Sequence, residues 1–248
     1  MEIKFYPKET QVNGNFNNGF ILEKKPIGFP NENGKLKAFS NIFYWAHAWT
    51  PGKRSTIGLH PHHGFEICTF VLKGSINHFD TKLNKWVKLN QGDVQIIRSG
   101  NGISHSEEIL ENSEIFQIWF DPDLSKSLKK SATYNDYKHS DFKKSIADGV
   151  KIIKIHDSKN SAWMDSEGVC INDLYFETEI SFQIKIEKNK IHSFFLIDGH
   201  ISLDNKEVFK GDFFTVKDSK SVHLDVKETS RLFEVSSPIS PSYKTYFN

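Results

Sequence analysis

One pattern in the chain occurs twice. Residues 70–80 (FVLKGSINHFD) lead into 85–97 (KWVKLNQGDVQII), and residues 194–204 (FFLIDGHISLD) lead into 206–216 (KEVFKGDFFTV). In each copy an apolar run ends at a glycine, Gly74 or Gly199. A hairpin follows, and a Gly-Asp turn (Gly92-Asp93, Gly211-Asp212) feeds a second apolar run. A hairpin alone cannot bury a face, so a duplicated unit of this size implies two domains of similar topology. Other short β-rich runs (65–72, 115–120) are punctuated by turn residues, and long 3.6-residue periodicity is missing. The expected fold class is all-β, with two tandem jelly-roll-like barrels and few short helices. A length of 248 residues accommodates two small cores.

Between the copies, residues 121–149 are rich in lysine and serine and open on Asp-Pro. The reading is an N-terminal domain over 1–122, a linker over 123–149 and a second domain over 150–248. A short helix is expected near 124–130, capped by Asp121 or Asp123.

Thirty-two basic against 31 acidic residues leave a net charge of +1, and only Arg54, Arg98 and Arg231 are arginines. A surface that neutralises nucleic-acid phosphates needs a basic excess, so direct nucleic-acid binding is not expected. No apolar run approaches the roughly 20 residues that span a bilayer, and nothing after the MEIKF start resembles a secretory leader. Two cysteines, Cys68 and Cys170, make no disulfide framework. The expected setting is a reducing cytoplasm.

Histidine is unevenly spread. Six of eleven lie between His47 and His105, three of them in His60-Pro61-His62-His63. On a strand His60 and His62 share one face and His63 takes the other. Farther along, His105 and Glu107 stand at the same alternate spacing. Two such pairs on neighbouring strands would offer three imidazoles and a carboxylate to a divalent transition metal, leaving positions open for water, dioxygen or substrate. Spacing leaves Glu66 available as the carboxylate as well.

The stretches Gly58-Leu59-His60-Pro61-His62-His63-Gly64-Phe65-Glu66, Gly92-Asp93-Val94-Gln95, Gly100-Asn101-Gly102-Ile103-Ser104-His105-Ser106-Glu107 and Gln117-Ile118-Trp119 resemble the signature of the pirins, a family of the cupin superfamily. The resemblance covers roughly residues 55–120 and is weaker beyond. It implies a bicupin whose first barrel binds iron through His60, His62, His105 and Glu107. Glu66 is then a structural carboxylate or one that orients a histidine from outside the ligand set. The metal expected from the family is Fe(II), with Mn, Ni, Co, Cu or Zn as chemically similar occupants. Pirins carry arginine where this chain has His63, which bears on a partner surface and not on the metal.

In the second repeat, counting from Gly199 places Lys185 and Glu187 at the positions of His60 and His62. Counting from Gly211 places Leu224 near that of His105, with His223 one residue away. No ligand set results, and His192, His200 and His223 read as structural or exposed. His78, after Gly74, is a candidate to reach substrate from inside the first barrel.

Some pirins resemble quercetin 2,3-dioxygenases, which open a flavonol ring with dioxygen. The resemblance therefore implies a metal-dependent dioxygenase acting on a flavonol or similar aromatic, with Glu107 as the base that takes the substrate's hydroxyl proton. The alternative is a non-enzymatic iron-binding regulator that senses redox state and acts through a protein partner. A channel able to admit a flat aromatic separates the two.

Overall fold

The computed structural model describes residues 1–157 and 162–246. The chain forms two compact units: Gln11–Asp141 with Ala162–Ser166 and Ser242–Asn248, and Met1–Thr10 with Phe142–Ser161 and Glu167–Pro241. Each consists of a seven-stranded and a four-stranded antiparallel sheet. These are open sandwiches of the jelly-roll kind rather than closed hydrogen-bonded barrels.

In the first unit the large sheet runs in the order Thr133–Tyr137, Val94–Arg98, Glu66–Lys73, Glu114–Phe120, Ile42–Trp49, Ile21–Ile27, Val12–Phe16. The small sheet is Ser55–His62, Ile103–Ile109, Ser75–Asp80, Trp86–Asn90. Ile21, Ala48, Val71 and Ile115 from the first meet Ile76, Leu89 and Ile109 from the second in one apolar core. The second unit repeats this order strand for strand, from Glu2–Tyr6 at one edge to Lys143–Ala147 at the other.

The repeat extends to single hydrogen bonds. Ser113 Oγ accepts from the Ser75 amide beside Gly74, and Ser230 Oγ accepts from the His200 amide beside Gly199. Asp93 accepts from the amides of Asn90 and His139, and Asp212 from those of Phe209 and Lys8. The two edge strands occupy equivalent places by different routes. Thr133–Tyr137 follows the strands it joins, whereas Glu2–Tyr6 precedes the entire first unit and pairs with Phe213–Lys217.

Residues 123–149 hold regular structure: a one-turn helix, Leu124–Ser127, capped by the Asp123 side chain on the Ser125 amide, then the strands Thr133–Tyr137 and Lys143–Ala147. The helix stops short of 130. Cys68 is buried, Cys170 half-buried, and both are free thiols. No helix among the described residues is long and apolar enough to cross a membrane.

Gly74 and Gly199 adopt φ of +71° and +95°, and a Cβ would lie 2.2 Å and 2.1 Å from the Oγ of Ser113 and Ser230. Gly74→Ala and Gly199→Ala should each destabilise by about 1–3 kcal/mol, read from urea midpoints. Gly52→Ala, where nothing lies within 4 Å, should leave the midpoint unchanged.

Candidate metal centre

Ser55–His62 is the outer strand of the small sheet, so Pro61 withholds an amide where the sheet needs none. Its partner Ile103–Ile109 sets His105 opposite His60 and Ile103 opposite His62. The register then slips, so that Glu107 faces Ile57. Three residues on one strand span two on the other, a bulge at Gly58-Leu59. Strict alternation would turn Ile57 and His60 to opposite faces. The bulge lets Ile57 pack on the core while His60 and His62 also point inward. His63 is exposed.

The ligand atoms of His60, His62 and His105 lie within 4.8 Å of one another. The Nε2 atoms of His60 and His105 are 3.0 Å apart. His60 Nδ1 lies 2.8 Å from the Gly58 carbonyl and donates to it, leaving the Nε2 lone pair aimed at the cluster. His62 Nε2 is buried without a partner. Burial, reinforced by the neighbouring histidines, depresses His62 to about 3 and His105 to about 2, so both rings are neutral near pH 7. Three ring nitrogens converge, His62 Nε2 with no protein partner, and the donor set fits a divalent transition-metal ion.

Glu107 is 1% exposed, directly opposite His78 on the neighbouring strand, and lines the same cavity as His60 and His62. Its carboxylate accepts from Thr69 Oγ1 at 3.2 Å and from Gln117 Nε2 at 2.7 Å, and Gln117 Oε1 accepts from Trp119 Nε1 at 2.9 Å. Gln117, Thr69, Gln95 and Asp136 are successive cross-strand partners, a polar row across the large sheet. His78 is buried and stands off the cavity wall. Gln95 Nε2 donates to Asp136 and to His78 Nδ1, and the His78 ring lies 5.5 Å from that of His105.

Glu66 is three residues from Thr69 and therefore on the other face of its strand. Its carboxylate accepts from the amides of Asp165 and Ser166 and from Ser166 Oγ, and burial raises it to about 7. It anchors the 162–166 segment and orients no histidine.

The cavity over the histidines measures about 310 Å³ and is walled by Phe16, Phe29, Tyr44 and Trp119 with Ile57 and Ile115. Thr69, Tyr44 and Glu23 were not singled out in the sequence. Their one signal is a polar side chain at an inward position of an otherwise apolar strand.

In the second unit, Ile180–Lys185 pairs with Ser221–Val226 without a register shift, Phe182 opposite Leu224 and Ile184 opposite Val222. Matched through the sheet, Ile184 and Ile186 occupy the places of His60 and His62, Val222 that of His105, and Leu224 that of Glu107. Lys185 is exposed; counting along the chain lands on it because the connection after this strand is one residue longer than in the first repeat, four residues between Ile186 and Ile191 against three between His62 and Glu66. His192 is satisfied by Glu234 and the Glu187 amide, while His200 and His223 bond Glu207 and Ser181.

His62→Ala and His105→Ala should each weaken metal binding by more than the 10–100-fold that loss of an outer hydrogen bond produces. Glu66→Gln should leave it unchanged, by competition with a chromophoric chelator. Below pH 6.5 the unfolded chain takes up protons that buried His62 refuses until about pH 3. Stability of the metal-free protein therefore falls as pH falls through this window. Between pH 6.5 and 5 it should fall about 1.4 kcal/mol per unit more steeply than in His62→Gln, by urea midpoints.

A profile of the Pirin family matches residues 24–120. A Zymomonas mobilis protein provisionally named a quercetin 2,3-dioxygenase is 25% identical over 182 residues, 72% of this chain and 74% of its own. Quercetin 2,3-dioxygenase of Escherichia coli is 41% identical over 69 residues, and Pirin-like protein 2 of Arabidopsis thaliana 40% over 95. These stretches cover 27% and 38% of this chain and 29% of each relative. The bacterial pirin YhhW of Escherichia coli, solved in complex with nickel(II), superposes with a TM-score of 0.79 at 17% identity over 96% of this chain and 99% of its own. A quercetin 2,3-dioxygenase from Acinetobacter baumannii gives 0.79 at 17% identity over 95% and 79%. Residues 24–120 are thus a pirin domain, in a chain with the bicupin fold of the solved pirins.

Proposed function

We propose that His60, His62, His105 and Glu107 hold one divalent transition-metal ion and that the protein is a dioxygenase opening the ring of a flavonol or a similar hydroxylated aromatic. The observation that carries this reading is the convergence of three imidazoles, two of them, His60 and His62, lining an aromatic-walled cavity of about 310 Å³, within the size range of small-molecule sites. A redox sensor has no need of such a space. The names of the Escherichia coli and Acinetobacter baumannii relatives add support.

A metal bound at this position supplies Lewis acidity toward a substrate hydroxyl and open positions for dioxygen. The remaining roles fall to side chains. His60, His62 and His105 act as nitrogen donors and move no proton. Glu107 is the proton acceptor, its two oxygens held by Thr69 and Gln117 so that it stays beside the histidines. Tyr44 and Trp119, stacked with ring centroids 4.4 Å apart, and Phe29, 4.8 Å from Tyr44, present apolar faces to a flat ring and exclude water.

The test is oxygen consumption with quercetin after chelation and reloading with Fe, Mn, Ni, Co or Cu. Turnover is expected with at least one ion and none after chelation. At saturating metal, Glu107→Gln should lower kcat by about 10²–10⁴-fold. One metal per chain with no turnover for any ion would overturn the enzyme reading and favour the regulator.

A further inference from the structure

A second carboxyl lines the cavity, and the chemistry above leaves it unused. On Ile21–Ile27 the residues Ile21, Glu23 and Lys25 alternate inward; Ile21 packs into the apolar core, while Glu23 shares the cavity wall with His60, His62 and Glu107. Glu23 pairs with Ala48 on the next strand, and Ala48 with Ile115 on the one after, the strand that also carries Gln117. Glu23 and Gln117 thus stand on strands two inter-strand spacings apart, ~10 Å. Ala46 and Ala48 on the intervening strand are small.

Glu23 is 7% exposed and under-satisfied for a buried carboxyl. Glu66 accepts from three donor atoms and Glu107 from two. Glu23 accepts one hydrogen bond, from Tyr44 Oη at 3.2 Å. Lys25 Nζ stands off at 3.8 Å because it sits 2.5 Å from Glu32. An ionised carboxylate offers about four acceptor sites, so capacity remains, and burial raises the Glu23 pKa accordingly. Gly14, opposite Glu23 on the neighbouring strand, preserves the carboxyl's position: a Cβ there would lie 2.4 Å from Glu23 Oε2.

We propose that Glu23, oriented by Tyr44, is a specificity-determining residue that accepts a hydrogen bond from a second hydroxyl of an aromatic substrate whose first hydroxyl lies at the histidines. The preferred substrates are then aromatics hydroxylated at both ends rather than at one. This rests on the reading of the cavity as the substrate site.

Binding to the Ni(II)-loaded full chain, followed by tryptophan fluorescence, is compared for quercetin and for 3-hydroxyflavone, which lacks the distal hydroxyls. A hydrogen bond to a buried charged group separates the two by about tenfold or more. Quercetin should be preferred by that factor in the parent protein. In Glu23→Gln the preference should shrink to less than threefold, and Tyr44→Phe should shrink it in the same direction. Binding of both compounds with the preference unchanged in Glu23→Gln, or weakened equally for both, overturns the role of Glu23 alone. Failure of both to bind the parent overturns the flavonol reading, and this proposal with it.

Discussion

Polar groups buried between two sheets are tolerable only when groups on the facing sheet satisfy them, and this requirement organises the first unit. Glu107 and His78 are neighbours on the small sheet. Directly across from them the large sheet presents Gln117, Thr69 and Gln95 in one row; the first two bond both oxygens of the carboxylate, and Gln95 donates to His78 Nδ1. Leaving one such group unpaired costs about 1–3 kcal/mol. The row therefore determines where a carboxylate can sit. The three histidines lie just beyond it, with His60 tied to the Gly58 carbonyl and two ring nitrogens, His62 Nε2 and His105 Nδ1, left unpartnered. His62 Nε2 is thus a buried ring nitrogen with no protein partner within the histidine cluster.

The second unit supplies the internal control. Its strands, turns and Gly–Ser contacts match those of the first, yet most of the equivalent layer is apolar: Ile184, Val222 and Leu224 replace His60, His105 and Glu107, Leu203 replaces His78, and Phe194 and Phe214 replace Thr69 and Gln95, while Glu234, bonded to His192 and Asn172, stands in place of Gln117. All of these apolar replacements are buried and belong to one core cluster. The bulge is absent too, since there is no ligand to re-aim. Both the groups needing satisfaction and those providing it have changed together, as expected of a cooperative network whose half-satisfied forms are worse than either extreme.

Much of this was legible in the sequence because it rests on local rules. Alternation identified the strands, the Gly-Asp turns identified the repeat, and the His-x-His and His-x-Glu spacings picked out residues that share a face. Three features were not legible. The bulge at Gly58-Leu59 has no residue-level signature, nor does the length of the connection after that strand: three residues separate His62 from Glu66 and four separate Ile186 from Ile191, so counting back from Gly199 falls on Lys185 and Glu187 instead of Ile184 and Ile186. The edge strand Thr133–Tyr137 (TYNDY) is too polar to read as sheet, since an edge needs only one ladder partner. Glu66 looked like a ligand alternative because its distance from the histidine motif is suggestive. Only strand parity, together with the 162–166 segment that folds back on it, assigns it to the opposite face.

The comparison of the two units also bears on why the polar layer exists. Buried charged and polar clusters replaced by well-packed apolar residues are often as stable or more so, and the second unit shows that this scaffold accepts such a replacement. Fold stability therefore does not account for His60, His62, His105 and Glu107, nor for the row that holds them. The small side chains Ala46 and Ala48 extend the argument. Their equivalents by register, Asn172 and Leu174, are larger, and Ala48 lines the first unit's cavity. The polar layer and the small side chains on the neighbouring strand thus go together with an open cavity beside the histidines in the first unit.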